Sequence, residues 1–245
     1  LKTDMKKSSI KTSVILGAGL GTRLRPLTDD CPKPLLPLHG RPIITYVMDH
    51  LKEAGIERFI VNTHHAADAY LKAFPDRQWR GIPITFRYEP VLLDTGGGIK
   101  NVEDLLADDE TVIVYNGDIF TNLPLYRLID AHYTRKKEVT LALRSSGSPK
   151  NVNLNAAGDI CDMRHTLGVT GVGSYLFAGV YVITKSFLRR LVPGRRESII
   201  DAFIAMIREA PRSVAGAIID EGRWCDIGSV AEYKKMNEVL AQEEP

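Results

Sequence analysis

Val14-Ile15-Leu16-Gly17-Ala18-Gly19-Leu20-Gly21-Thr22-Arg23-Leu24-Arg25-Pro26-Leu27-Thr28, followed by Pro32-Lys33-Pro34-Leu35-Leu36-Pro37, is the stretch on which the reading of this chain turns. An apolar run that reads as a strand ends in a loop with glycine at alternate positions. Glycines let backbone N–H groups turn toward a ligand and approach it closely, and a row of such groups makes a cradle for phosphate. Gly17, Ala18, Gly19, Gly21 and Thr22 would supply that main chain. Arg23 and Lys33 add full positive charge close by, so the loop suits a polyanion.

Two well-known phosphate loops are excluded. A dinucleotide fingerprint needs G-x-G-x-x-G and an acidic residue about twenty positions on. Here Thr22 and Leu38-His39-Gly40-Arg41 stand at the relevant places. A P-loop needs Gly-Lys followed by Ser or Thr, whereas Gly21 is followed by Thr22-Arg23. A nicotinamide-dependent oxidoreductase is correspondingly disfavoured.

Working outward, the 245 residues suffice for one good-sized core with at most a small appended lobe. A net charge of +2 argues against general binding of nucleic acid or of a membrane surface, so any anion site is local. No apolar stretch approaches the length of a membrane span. Cys31, Cys161 and Cys225 are odd in number, widely spaced and in no metal-ligand pattern, which reads as reduced thiols in a cytoplasmic protein. Residues 1–11 are polar and lysine-rich without an apolar core, and read as a flexible tail, not a signal peptide. The chain begins at Leu1, which leaves open whether it is a piece of a longer protein.

Short β-rich runs alternate with amphipathic helical patterns. Thr12–Leu16, Arg58–Thr63, Ile82–Tyr88, Thr111–Asn116 and Glu138–Leu143 read as strands, and Pro42–Ala54, Ala66–Ala73, Gly97–Ala107 and Leu123–Lys136 as helices. This alternation predicts a Rossmann-like α/β fold, a mostly parallel sheet with helices on both faces. Ligands of such sheets sit beyond the carboxyl ends of the strands, where the loop after the first strand lies. Beyond about residue 145 the pattern becomes more mixed: strands at Asn151–Leu154, Asp159–Met163, Tyr175–Thr184 and Ser213–Ile219, and helices at Lys185–Leu191, Ser198–Arg208 and Val230–Gln242. The expectation is a single domain over 12–245. Residues 12–145 form its nucleotide-binding half and 146–245 its sugar-binding half, the ligand assignments resting on the resemblance below.

Three further segments carry chemistry. Thr111–Asn116 delivers Gly117 and Asp118 at its carboxyl end, and a carboxylate there is a hard oxygen donor suited to Mg2+. Asn-Gly-Asp alone is more often a turn, but the preceding strand places Asp118 on the same sheet edge as the glycine loop. Arg223-Trp224-Cys225-Asp226-Ile227-Gly228 repeats the arrangement, with Asp226 either a second metal ligand or a cap for the helix near Val230, where Ser229 is the better cap. Leu93-Asp94-Thr95-Gly96-Gly97-Gly98-Ile99 reads as a turn entering a helix, its glycines, Gly96 and Gly97 among them, either packed against a flat ligand, at a helix N-terminus near an anion, or simply meeting a need for positive φ, with the first two favoured. His64-His65 and Cys161…His165 lack further ligands at metal spacing and read as structural or surface residues.

Assembled, these residues resemble the sugar-1-phosphate nucleotidyltransferases, whose signature G-x-G-T-R-L-x-P-x-T then P-K-P-L-[LV]-P stands here at Gly19–Thr28 and Pro32–Pro37. Gly117-Asp118 and the Trp224–Gly228 segment also match, and the likeness runs from about Ser13 to the end. It implies a fold of the nucleotide-diphospho-sugar transferase type and a reaction of a nucleoside triphosphate with a sugar-1-phosphate, giving an NDP-sugar and pyrophosphate. It further implies Asp118 and Asp226 on Mg2+, the Gly17–Arg23 loop on the triphosphate, and Arg23 and Lys33 as the catalytic cations. Asn116, Asn153 and Gly179 fall where sugar contacts are made. Within the family the chain looks most like the N-acetylmuramate-1-phosphate uridylyltransferases of cell-wall recycling, with guanylyl transfer to mannose- or heptose-1-phosphate the alternative. A non-catalytic nucleotide-sugar-binding regulator is a different class, which could dispense with Lys33 or an aspartate that this chain keeps. The family usually has Ala where this chain has Gly17, which reads as a harmless exchange. The Glu-Lys-Pro segment of the longer hexose-1-phosphate enzymes is absent, as is a C-terminal hexapeptide-repeat region, which argues against an added acetyltransferase activity.

Overall fold

A computed structural model of the chain describes residues 10–242. Strand β1 (Thr12–Leu16) leads through a short hairpin, β2 (Pro37–Leu38) and β3 (Arg41–Pro42), into helix α1 (Ile43–Glu53). There follow β4 (Arg58–Thr63), α2 (Asp68–Ala73), β5 (Gln78–Trp79), β6 (Ile82–Tyr88), α3 (Asp94–Lys100), β7 (Thr111–Asn116), β8 (Ile119–Thr121), α4 (Leu125–Arg135) and β9 (Val139–Arg144). The remainder is β10 (Val152–Leu154), β11 (Ile160–Met163), β12 (Gly173–Thr184), α5 (Ile199–Glu209), β13 (Val214–Ile218), β14 (Trp224–Asp226) and α6 (Val230–Ala241).

Ten of these strands form one sheet. Its parallel part runs β7-β1-β4-β6, and β12 joins it antiparallel against β7. β9 pairs with β12 and β13, although it precedes residue 145, so strands from before and after that point share one sheet. The chain goes from β1 outward to β4 and β6, then returns to β7 on the other side of β1. The loop after β1 therefore sits where the strand order reverses, the place at which open α/β sheets leave a crevice for ligands.

The strands bury both faces because alternate side chains point opposite ways. Ile113 and Tyr115 of β7 pack in one core with Ile44, Val47, Met48 and Leu51 of α1. Val112 and Val114 of the same strand pack in a second core with Ile99 of α3 and Phe203 and Ile207 of α5. A satellite core beneath α6 joins Met236 to Leu24, Leu36, Leu38, Ile43 and Ile227, holding the region after β1 against α6.

Residues 1–9 of the expected tail lie outside the described residues; of its last two, Ile10 is buried and Lys11 pairs with Glu57. The three glycines expected in a turn lie inside α3, and the expected helix over Gly97–Ala107 ends at Lys100, with only a 3-10 turn at Glu103–Leu105 beyond it. Glycine is a poor helix former; here close packing against the 195–199 segment overrides that preference.

Candidate active site

The site grows from adjacent strand ends. Leu16 of β1 is in register with Asn116 of β7, and Gly117 N–H donates to the Leu16 carbonyl at 2.9 Å. A side chain at position 117 would meet that carbonyl at 2.7 Å, so glycine allows β7 to leave the sheet tight against β1. Asp118 is thereby delivered beside the glycine loop. β14 then pairs antiparallel with β8 so that Asp226 lies opposite Ile119, and Ile227 N–H donates to the Asp118 carbonyl at 3.2 Å. The approach to β14 is held by Arg144, whose guanidinium donates to the carbonyls of residues 219–222.

Lys33–Leu35 forms a tight 3-10 turn directly after Pro32, which leaves the Lys33 side chain only 9% exposed. Its ammonium stands 2.5 Å from Asp118 Oδ2 and 3.8 Å from Asp226 Oδ1. Burial pushes the Asp226 carboxyl upward, the Asp118 charge pushes it further, and Lys33 and Arg23 oppose both. Two carboxylates this close call for positive charge between them. Among the described residues no cluster of three or more His, Cys, Asp or Glu side chains could hold a metal ion. The aspartate pair nevertheless suits Mg2+, which takes one or two carboxylates and completes its shell with water and substrate phosphate oxygens.

Gly19, Gly21, Thr22, Arg23, Lys33 and Asp118 line a recess of about 310 Å3. Gly21 adopts φ +62°, with Leu24 N–H and the Thr28 hydroxyl donating to its carbonyl. That left-handed backbone favours glycine. Gly17 and Ala18 are not part of this lining. Gly17 N–H donates to Asn62 Oδ1 at 2.8 Å and its carbonyl accepts from the Tyr70 hydroxyl at 2.9 Å. A Cβ there would stand 2.7 Å from that hydroxyl and 2.9 Å from the Asn62 carbonyl, so alanine at 17 is no harmless exchange in this chain.

Beyond Arg23 a wider cleft of about 1180 Å3 is lined by Asp226 and its neighbours and by residues of the 148–201 region. Asn116 and Gly179, expected at the sugar, both line it, with Trp224 and Asp226. Trp224 is fixed by its indole N–H to the Ala178 carbonyl at 2.8 Å. Asn153 departs from expectation. It is buried, its amide donates to the Val169 carbonyl at 3.0 Å and its Oδ1 accepts from Ser174 at 2.7 Å, so it braces β10. Asn151, Arg164 and Lys235 line the cleft instead, and no sequence motif marked them.

Gly96 and Gly97 are likewise engaged by the protein. Both N–H groups donate to the Glu197 carbonyl, and a Cβ on Gly97 would fall 2.2 Å from the Arg195 carbonyl. The glycines let α3 lie against the 195–199 segment. His64 and His65 bond the carbonyls of Glu89 and Thr28 through ring nitrogens, in keeping with structural roles.

A glycine loop, a buried lysine and two converging carboxylates thus meet at the switch point of an α/β sheet. The chain matches the Nucleotidyl transferase family over residues 12–243 and belongs to it. It is 32% identical over 224 residues to the mannose-1-phosphate guanylyltransferase of Mycobacterium tuberculosis, covering 90% of this chain and 62% of that protein. It is 28% identical to the mannose-1-phosphate guanyltransferase of Gibberella zeae, covering 90% of this chain and 61% of that protein. The chain thus spans about three-fifths of the length of these curated relatives. Its fold is similar to HddC from Yersinia pseudotuberculosis complexed with GMP-PN, with TM-score 0.76, 21% identity and coverage of 94% and 100% of the two chains. It is similar also to the inositol-1-phosphate CTP transferase of T. maritima, with TM-score 0.76, 20% identity and coverage of 95% and 97%. The special likeness to N-acetylmuramate-1-phosphate uridylyltransferases is not what these relatives display; the guanylyl alternative is closer to them. No helix among the described residues is long and apolar enough to cross a membrane.

Proposed function

We propose that the chain transfers a nucleotidyl group from a nucleoside triphosphate to a sugar-1-phosphate, with guanylyl transfer to a mannose-type 1-phosphate as the leading specific reaction. The observation that carries this reading is Lys33 bracketed by Asp118 and Asp226 beside the glycine-loop recess. The choice of guanine rests on the relatives' names alone.

The triphosphate would lie in the recess, with Arg23 and Lys33 facing its charge, and the sugar-1-phosphate in the wider cleft near Asn116 and Gly179. Arg23 borders both cavities, which supports a place for it where the two substrates would meet. A phosphate oxygen of the sugar attacks the α-phosphorus, the bond to the bridging oxygen of the β-phosphate breaks, and pyrophosphate leaves. The attacking oxygen is already anionic, so no general base is needed. The residues' work is positioning and neutralising charge, the effects that dominate phosphoryl-type transfer. Mg2+ held by Asp118 and Asp226 would supply further neutralisation of the phosphate oxygens.

The test is pyrophosphate release with each of GTP, UTP, CTP and dTTP against mannose-, heptose-, glucose- and N-acetylmuramate-1-phosphate. Turnover of GTP with mannose-1-phosphate is expected. Turnover only with UTP and N-acetylmuramate-1-phosphate would overturn the guanylyl assignment, and turnover with no pair would overturn the enzymatic reading.

A further inference from the structure

We propose that Asn62 and Glu89 form a buried clasp that sets the spacing between the phosphate loop and the Leu93–Gly98 segment, making both of them positioning residues for the nucleotide. The inference rests on the reading above that the loop after β1 grips a triphosphate.

The clasp spans three neighbouring strand ends. Gly17 follows β1, Asn62 is in register with Leu16 near the end of β4, and Glu89 follows β6. Asn62 is 2% exposed and Glu89 is fully buried. Asn62 Oδ1 accepts from Gly17 N–H at 2.8 Å, and its Nδ2 donates to Glu89 Oε1 at 2.7 Å. Glu89 Oε2 accepts from Leu93 N–H at 3.0 Å, and the Glu89 carbonyl faces His64 Nδ1 at 2.7 Å. Helix α3 presses on the same pair through Gly98, where a Cβ would stand 2.6 Å from Asn62 Nδ2 and 2.7 Å from Glu89 Oε1. A continuous path of hydrogen bonds thus joins the backbone of the phosphate loop to that of the segment before α3.

Stability alone is a poor reason for such a group. Burying a carboxylate is costly even when paired, and apolar side chains of similar volume often do as well or better. Burial pushes the Glu89 carboxyl upward, and the bonds from Leu93 and Asn62 pull it back. What the polar pair provides, and an apolar pair would not, is directional control of two backbones at once. Small misplacements of a reacting group cost about a hundredfold in rate, so fixing the loop against its neighbour is worth a buried charge.

The hydrogen-bond roles can be exchanged. In Asn62→Asp two carboxylates face each other; in Glu89→Gln an amide donor faces either Asn62 Nδ2 or Leu93 N–H. The double variant Asn62→Asp/Glu89→Gln restores every bond. Its introduced amide donates to the introduced carboxylate while the amide oxygen accepts from Leu93 N–H, and the carboxylate accepts from Gly17 N–H as well. We expect each single variant to raise the KM for the triphosphate by about tenfold or more, with the KM for the sugar-1-phosphate little changed, and the double variant to recover most of the loss. Single variants with lowered thermal midpoints but unchanged triphosphate KM would make the clasp merely structural and overturn the proposal. So would a folded double variant no better than the worse single one. If the single variants do not fold, the double variant decides alone, by whether its triphosphate KM matches the unmodified chain. Triphosphate affinity by titration calorimetry, run on the same proteins with GTP, UTP, CTP and dTTP, separates the two ideas. A chain that binds a triphosphate without turning over any pair refutes the transferase reading and still scores the clasp by its Kd; a chain that binds none of the four refutes both.

Discussion

Lys33 closes a 2.5 Å ion pair onto Asp118 across 85 residues of chain, and the nearly buried ammonium also faces Asp226. A lysine placed thus is a compact charge that keeps two carboxylates at close quarters. Lys33→Met removes the charge while roughly preserving the stem. We expect turnover to fall by on the order of 10²–10³-fold, the loss usual for a preorganised electrostatic contact in a site. Pyrophosphate-release kinetics measure it, and a variant within a few-fold of the unmodified chain would remove Lys33 from the chemistry.

Asp118 tests the metal assignment. Asp118→Ala should abolish turnover in Mg2+ at any concentration, with circular dichroism unchanged because the residue lies outside β7 and β8. A magnesium titration of the variant is the measurement. Retained activity would mean that Asp118 serves only to pair with Lys33.

Gly17 and Tyr70 should be coupled. Gly17→Ala drives a methyl into the Tyr70 hydroxyl and the Asn62 carbonyl, and overpacking of this kind costs about 1–3 kcal/mol. Tyr70→Phe alone loses one hydrogen bond, worth about 1 kcal/mol. With Phe at 70 already in place, the added cost of Ala at 17 should shrink. Chemical denaturation of the four proteins reads the coupling; strictly additive losses would show that the hydroxyl is not the obstacle.

His132 of α4 makes stability depend on pH. Burial lowers its pKa from 6.5 to about 4, and Nδ1 lies 3.0 Å from the Thr140 hydroxyl. The folded chain therefore holds this ring neutral, while the unfolded chain protonates it below about pH 6.5. Stability from this group is complete above that pH and is lost as pH falls toward 4. Replacing it, as in His132→Gln, should flatten the fall in urea-unfolding free energy between about pH 6.5 and 4.5. An equal fall in both proteins would place the pH dependence elsewhere.

The parallel sheet was legible because β-branched runs such as Thr111–Asn116 end at glycine and alternate with amphipathic helices, and both signals are local. The glycine loop, Lys33, Asp118 and Asp226 were legible as types of residue with a shared sheet edge; that Lys33 sits between the aspartates depends on β14 pairing with β8, a three-residue ladder too short to leave a pattern. Gly96–Gly98 misled because propensity speaks of an isolated helix, while their neighbours come from residues 195–199. Asn153 misled for a similar reason: its partners are strand β12 and a turn distant in sequence. Asn62 and Glu89 stand singly at strand ends, where a polar side chain ordinarily reads as solvent-facing.

Gly179 has a consequence for how this protein can diversify. It sits at φ +75° inside the irregular stretch where β12 slips register against β9, and any side chain there would strike Asn116 Nδ2 and Ile119 at 3.0 Å. Position 179 thus resists substitution: its left-handed backbone strains any side chain, and Asn116 and Ile119, from the end of β7 and the start of β8, crowd it. Asn151 and Arg164, also in the lining, lie in a loop and a turn beside short strands, positions that tolerate exchange. If the wide cleft takes the sugar as proposed, a descendant of this chain with a different sugar preference would keep glycine at 179 and change the lining at 151 and 164.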